Sequence, residues 1–120
     1  MRTLNLTRTV SVTIGAGGTG TAQLGPSLAG EEWHPVSVSI SCTGNQPTPT
    51  APAIATCSIY AGNAVSNSTF TDATYQVLGA SSSMISGQVI YPGTQIFAVW
   101  VNCNPGQVAT LTVYGTKKVP

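Results

Sequence analysis

Few side chains in this 120-residue sequence can do chemistry, and most of them fall in one run, Gly30-Glu31-Glu32-Trp33-His34-Pro35. Glu32 and His34 are near enough in sequence for a carboxylate–imidazole contact, the minimum for general acid–base work. Between Trp33 and Pro35 they read as a surface pair at a strand entrance. The remaining acid, Asp72, stands among Asn67, Ser68 and Thr71, without the clustered carboxylates that calcium favours. Cys42, Cys57 and Cys103 form an odd set with no C-x-x-C spacing, which argues against a disulfide framework and against zinc. Cys42 and Cys57 flank the loop TGNQPTPTAPAIAT. A bridge across its base and free buried thiols both remain open. A nucleophile would need a Ser or Cys beside His34 with an orienting group, and no G-x-S-x-G elbow occurs. The glycine run from Gly15 to Gly20 lacks the helix that a phosphate-binding loop requires, so it reads as a hairpin turn. The inventory predicts no enzyme, no cofactor and no metal site.

Composition bounds the rest. The length suits one domain with one core. Hydrophobic residues make up 42% of the chain and charged residues only 6%, against about a quarter in typical soluble domains. Ser, Thr, Asn, Gln and Gly must therefore keep the surface wet. The four basic residues, Arg2, Arg8, Lys117 and Lys118, all lie near the two ends. Nucleic acid is a poor partner for such a chain, because phosphate contacts need clustered Lys and Arg. The basic ends read as solubilising tails, or as arms that dock on an acidic partner. In the second reading the docking arm comprises Arg2, Leu4, Leu6 and Arg8. No window approaches the ~18 apolar residues of a membrane span. The run MRTLNLTRTV has no long apolar core, which predicts synthesis without a signal peptide.

The elements that must hold these residues are strands. Tyr91-Pro92-Gly93 and Asn104-Pro105-Gly106 are turn signals, and Gly115 closes the stretch between them and the C-terminus. Between them run Ile96 to Val101 and Val108 to Val113, β-branched and aromatic and uncharged. They predict a central hairpin, apolar on both faces and covered on both sides, by the opposing sheet and by a neighbouring subunit. Upstream, Val10, Val12 and Ile14 alternate with Ser11 and Thr13, and Thr19 to Leu24 completes a second hairpin. Val36, Val38, Ile40 and Cys42 alternate with serines, which predicts one core face and one solvent or subunit face. Thr43 to Thr56, with Pro47, Pro49 and Pro52, is a stiff surface loop. Cys57, Ile59 and Ala61 face one way and Ser58 and Tyr60 the other. Tyr75 to Leu78 is a short strand or a single helical turn. About seven or eight short strands at roughly 8–15-residue spacing predict an all-β fold. Its architecture is an antiparallel β-sandwich, jelly-roll-like, because long connections suggest crossings between sheets. The domain plan is an arm at 1–8, the sandwich at 9–115 and a tail at 116–120.

Sugar binding is the rival function. It would place an exposed aromatic against a sugar face, and Trp33, Tyr60 and Tyr75 are the candidate ligand or interface aromatics. Trp100, among Phe97, Val99 and Val101, belongs to the core.

The order GPS, W, VSVSISC, CSIYAG, TDATY, YPGTQIFAVW, NPGQVATLTVYG resembles small accessory virion proteins of tailed bacteriophages that infect actinobacteria. The matching positions are Gly25, Pro26, Ser27, Trp33, Cys57, Tyr60, Asp72, Thr74, Gly93, Trp100, Pro105 and Gly106. Two stretches depart from that pattern: the loop GASSSM lacks its acid, and Val101-Asn102-Cys103-Asn104 replaces glycines after the Trp. The resemblance implies a non-enzymatic virion protein, decorating the capsid or forming a minor tail component. Its partners would be itself, as a homo-oligomer such as a trimer, and the major capsid or tail proteins. The alternative is a carbohydrate-binding module that attaches to a host surface glycan.

Overall fold

The computed structural model describes residues 2–42, 55–74 and 80–120. Eight strands follow the alternating runs: β1 (Arg2–Thr13), β2 (Gly20–Leu24), β3 (Glu32–Cys42), β4 (Thr56–Gly62), β5 (Phe70–Thr74), β6 (Ala80–Ser82), β7 (Gln95–Val101) and β8 (Val108–Val119). The element expected at Tyr75–Leu78 and most of the proline-rich loop lie outside the described residues.

The strands form two antiparallel sheets, β1-β8-β3-β6 and β2-β7-β4-β5. Pairing is nested: β1 with β8, β2 with β7, β3 with β6 and β4 with β5. A chain doubled on itself in this way and rolled into two sheets is a jelly roll. The all-β sandwich expected from the strand spacing is the fold observed.

Both expected hairpins are corrected by this order. β7 and β8 are consecutive but lie in opposite sheets, and so do β1 and β2. Asn102 takes φ 58°, a left-handed conformation that asparagine tolerates, and it swings the chain out of β7. Asn104-Pro105-Gly106 does turn, with Gly106 at φ 84°, but it carries the chain across the sandwich. The two crossings then hold each other. Ile14 N–H donates to the Gln107 carbonyl and Gly106 N–H to the Ile14 carbonyl, each at 2.8 Å. Cys103 N–H donates to the Gly18 carbonyl at 2.9 Å. Backbone groups that a hairpin ladder would have used are satisfied between connections instead.

The core fills the space between the sheets. β7 contributes Ile96, Ala98 and Trp100, β8 contributes Ala109, Leu111 and Val113, and all six are fully buried. Cys57 and Ile59 of β4 join them, as their alternation predicts.

β3 needs one more device. A strict period of two would set Trp33 and Pro35 on the face opposite Val38, Ile40 and Cys42. All five are buried. The register explains it: Pro35 pairs with Gly115 and Ser37 with Tyr114, so Val36 has no partner. This is a β-bulge, which adds one residue and shifts the alternation. Val36, expected on the core face, is the bulged residue and is 56% exposed. Gly115 makes room. A Cβ there would lie 2.8 Å from Pro35 Cα and 2.9 Å from Val36 N, and closer still to the His34 carbonyl.

The expected arm and tail are strand. Leu4, Leu6, Val10 and Val12 keep one phase through Arg8, and β1 pairs with β8 without interruption from Arg2↔Val119 to Thr13↔Val108. The boundaries drawn at 8/9 and 115/116 fall inside these two strands.

Candidate functional site

The glutamate–histidine run lands on the end of the first sheet. Its members separate into two pairs. Glu31 is buried, and its Oε1 accepts the Trp33 indole N–H at 2.8 Å. Glu32 and His34 face outward, with Nε2 and Oε1 3.0 Å apart. Among the described residues no hydroxyl or thiol hydrogen-bonds the His34 ring. Among the described residues no group of three or more His, Cys, Asp or Glu side chains is arranged to hold a metal ion.

The three cysteines are free and buried. The Cys103 thiol donates to the Val101 carbonyl at 3.6 Å. Burial raises all three thiol pKa values, and Cys103 is pushed up to about 12 by burial and then by the neighbouring Cys42. Of the two readings left open for Cys42 and Cys57, free thiols is the one observed.

Asp72 closes the open side of the sandwich. It sits on β5 opposite Ile59 of β4, and its carboxylate accepts the Ser82 hydroxyl of β6, which belongs to the other sheet. Its second oxygen accepts the Ala73 N–H at 2.8 Å. The carboxylate therefore bridges the sheets beside a cleft of about 150 Å³ lined by Val38, Ile40 and Ile59. Asp72→Ala is expected to cost about 1–3 kcal/mol, the range for a lost bond to a charged group. The urea midpoint measures it, and an unchanged midpoint would show that the bridge contributes nothing.

Outer faces distinguish the sheets. Directly paired residues in an antiparallel sheet share a face. On the first sheet one outer row is Thr9, Thr112, Ser39 and Ser81 and the next is Ser11, Thr110 and Ser41. Their hydroxyls bond across the strands, Thr9 to Thr112 at 3.1 Å and Ser11 to Thr110 at 3.0 Å. The second sheet differs. Its outer row runs Gln23, Phe97, Tyr60, Phe70, and the next row is Thr21, Val99, Ser58, Ala73. Tyr60 and Phe70 meet edge to face with ring centroids 5.7 Å apart, a favoured aromatic geometry. Phe70 is 50% exposed, while Phe97, Val99 and Tyr60 are half-buried. Neither row carries a charge. This aromatic row is the candidate functional surface.

The sequence-derived site residues fare unevenly. Trp33 is corrected: the bulge turns it inward, it is 1% exposed, and its ring meets no ligand. Leu6 is corrected likewise, since it lies in the core and is no part of a free docking arm. Arg2, Leu4 and Arg8 are exposed, Tyr60 sits in the aromatic row, and Tyr75 lies outside the described residues. Phe70 and Phe97 were missed as site residues. The available signal was the apolar outer phase of β7, which predicted cover on both faces.

Comparison with protein-family models, with curated proteins and with solved structures finds no match to the chain.

Proposed function

We propose that this chain is a non-enzymatic structural module of a tailed-bacteriophage particle, decorating the capsid or forming a minor tail component. It works as a homo-oligomer, such as a trimer, bound to the major capsid or tail proteins. The phage assignment rests on the resemblance. The observation that carries the docking role is the uncharged aromatic row Phe97, Tyr60 and Phe70 on an outer sheet face. Contiguous exposed apolar surface of this kind marks protein interaction sites, and aromatic residues are enriched at the centres of interfaces.

The test mixes purified protein with capsid shells and tails assembled without it. Co-sedimentation with one of them is expected. The double variant Phe70→Ser/Phe97→Ser should fold and lose association by about tenfold or more, as for central aromatic contacts. A protein that stays monomeric and binds neither shells nor tails would sink the proposal.

The same row favours one second reading, a carbohydrate-binding module for host attachment, because an exposed aromatic ring such as Phe70, 50% exposed, also stacks on a sugar ring. Glycan-array binding that disappears in Tyr60→Ser would move the assignment to that class.

A further inference from the structure

Among the described residues β1 ends its sheet, with β8 on one side and no strand on the other. It is 12 residues long, whereas the other outermost strands, β2, β5 and β6, have 5, 5 and 3. An outermost strand presents a row of unpaired backbone N–H and C=O groups, and proteins usually shorten it, bulge it or interrupt it with proline. β1 has no proline, no glycine and no bulge. It does have charge, all of one sign. Arg2 and Arg8 are exposed and β1 has no acid. The β8 partner sets Lys118 opposite Thr3 and Lys117 opposite Leu4. All four Lys and Arg residues of the chain thus share one strand pair, although they lie at opposite ends of the sequence. Among the described residues the only ion pair is His34 with Glu32, so none of the four is neutralised by a carboxylate. Glu32 lies opposite Lys118 across the ladder, but its carboxylate is bonded to His34.

We propose that the free edge of β1 is a strand-addition site for an extended acidic segment of a partner protein. The partner's main chain completes the sheet, and its carboxylates face Arg2 and Arg8. Those arginines are an even number of residues apart and so share a face, about 20 Å from each other at strand rise. The matching acids must also be six residues apart. A second copy is the wrong occupant: β1 laid against β1 adds cations and supplies no carboxylate. An apolar strand would leave the arginines without a partner beside a desolvating surface. This inference rests on the docking reading above only in naming the segment's source, the shell to which the module attaches.

The probe is a capped peptide of alternating threonine and valine with two glutamates six residues apart. The control has the glutamates five apart, on opposite faces. Binding is followed by fluorescence anisotropy, and hydrogen exchange reports on the β1 amides. The matched peptide should bind at low salt, protect those amides, and weaken about tenfold or more at physiological salt. The double variant Arg2→Glu/Arg8→Glu should lose the glutamate peptide by about tenfold or more and gain its lysine counterpart. Equal binding of both spacings, dimerisation through β1, or displacement by a single-stranded oligonucleotide would overturn the assignment. Absent peptide binding with intact attachment to shells overturns the edge site and leaves the docking role standing. Peptide binding by a protein that attaches to no particle supports the edge site and overturns that role.

Discussion

Gly115→Val is expected to destabilise the protein by about 3–5 kcal/mol, a large part of the roughly 5–15 kcal/mol that holds a domain folded. The cause is backbone contact. A Cβ at this position lies 2.8 Å from Pro35 Cα and 2.9 Å from Val36 N, and neither atom is the end of a flexible side chain. The bulge brings them there, because Val36 is inserted between the pairs Pro35↔Gly115 and Ser37↔Tyr114. The second half of the prediction follows from the same register. Deleting Val36 joins Pro35 to Ser37 and leaves every other pairing in place, with Trp33 and Pro35 still facing the core. The deletion alone should therefore be mild, since Val36 is 56% exposed. Combined with Gly115→Ala it should recover part of the alanine's cost, a coupling that a double-mutant cycle measures. Denaturation midpoints of Gly115→Val and of the four proteins of that cycle test both halves. Full additivity would show that the crowding at Gly115 has another origin.

Alkaline pH is expected to unfold the protein through its buried thiols. Cys42, Cys57 and Cys103 have thiol pKa values raised in the folded state, chiefly by burial, with mutual repulsion of the thiolates adding at Cys57 and Cys103. The unfolded chain ionises these groups from about pH 8.5, while the folded chain still holds its protons. The unfolded state then binds fewer protons, so stability falls as pH rises. The contribution is complete below about pH 8.5. Above it, each thiol removes up to about 1.4 kcal/mol per pH unit until its folded-state pKa is passed, near 12 for Cys103. Cys57 and Cys103 together remove up to about 3 kcal/mol per unit, and Cys42 adds in the same direction. Urea denaturation from neutral pH to pH 11 should show a plateau and then a fall of this size. Cys57→Ala and Cys103→Ala should each lower the slope by about 1.4 kcal/mol per unit. A slope unchanged in the triple variant, or rapid alkylation of the native thiols at neutral pH, would contradict the account.

Phe97 shows how far the sequence could be read. Its alternation with Ile96 and Ala98 marked β7 as apolar on both faces and predicted outside cover. That Phe97 stands in line with Tyr60 and Phe70 was not visible, because β7 is far along the chain from β4 and β5. Trp33 shows the opposite failure. Its sequence neighbourhood leaves core, interface and ligand contact all open. One unpaired residue downstream, Val36, changed its phase and buried it against Glu31. Leu6 failed for a third reason: a short apolar–polar alternation beside two arginines resembles an arm until a partner strand of equal length is found, and β8 is that partner.

By itself the sequence determined that the chain is built of strands, where most of them turn, and, wherever a strand has no bulge, which of its side chains share a face. Side-chain alternation and the turn preferences of Pro, Gly and Asn act over a few residues, so a local reading suffices. Only the tertiary structure decided which sheet each strand joins, that consecutive strands cross between sheets, and that the two basic ends meet on one edge. Those choices depend on pairing between residues as distant as Arg2 and Val119, where backbone hydrogen bonding and burial select among partners that look alike along the chain. The aromatic row and the cationic edge of β1 exist only as consequences of that pairing.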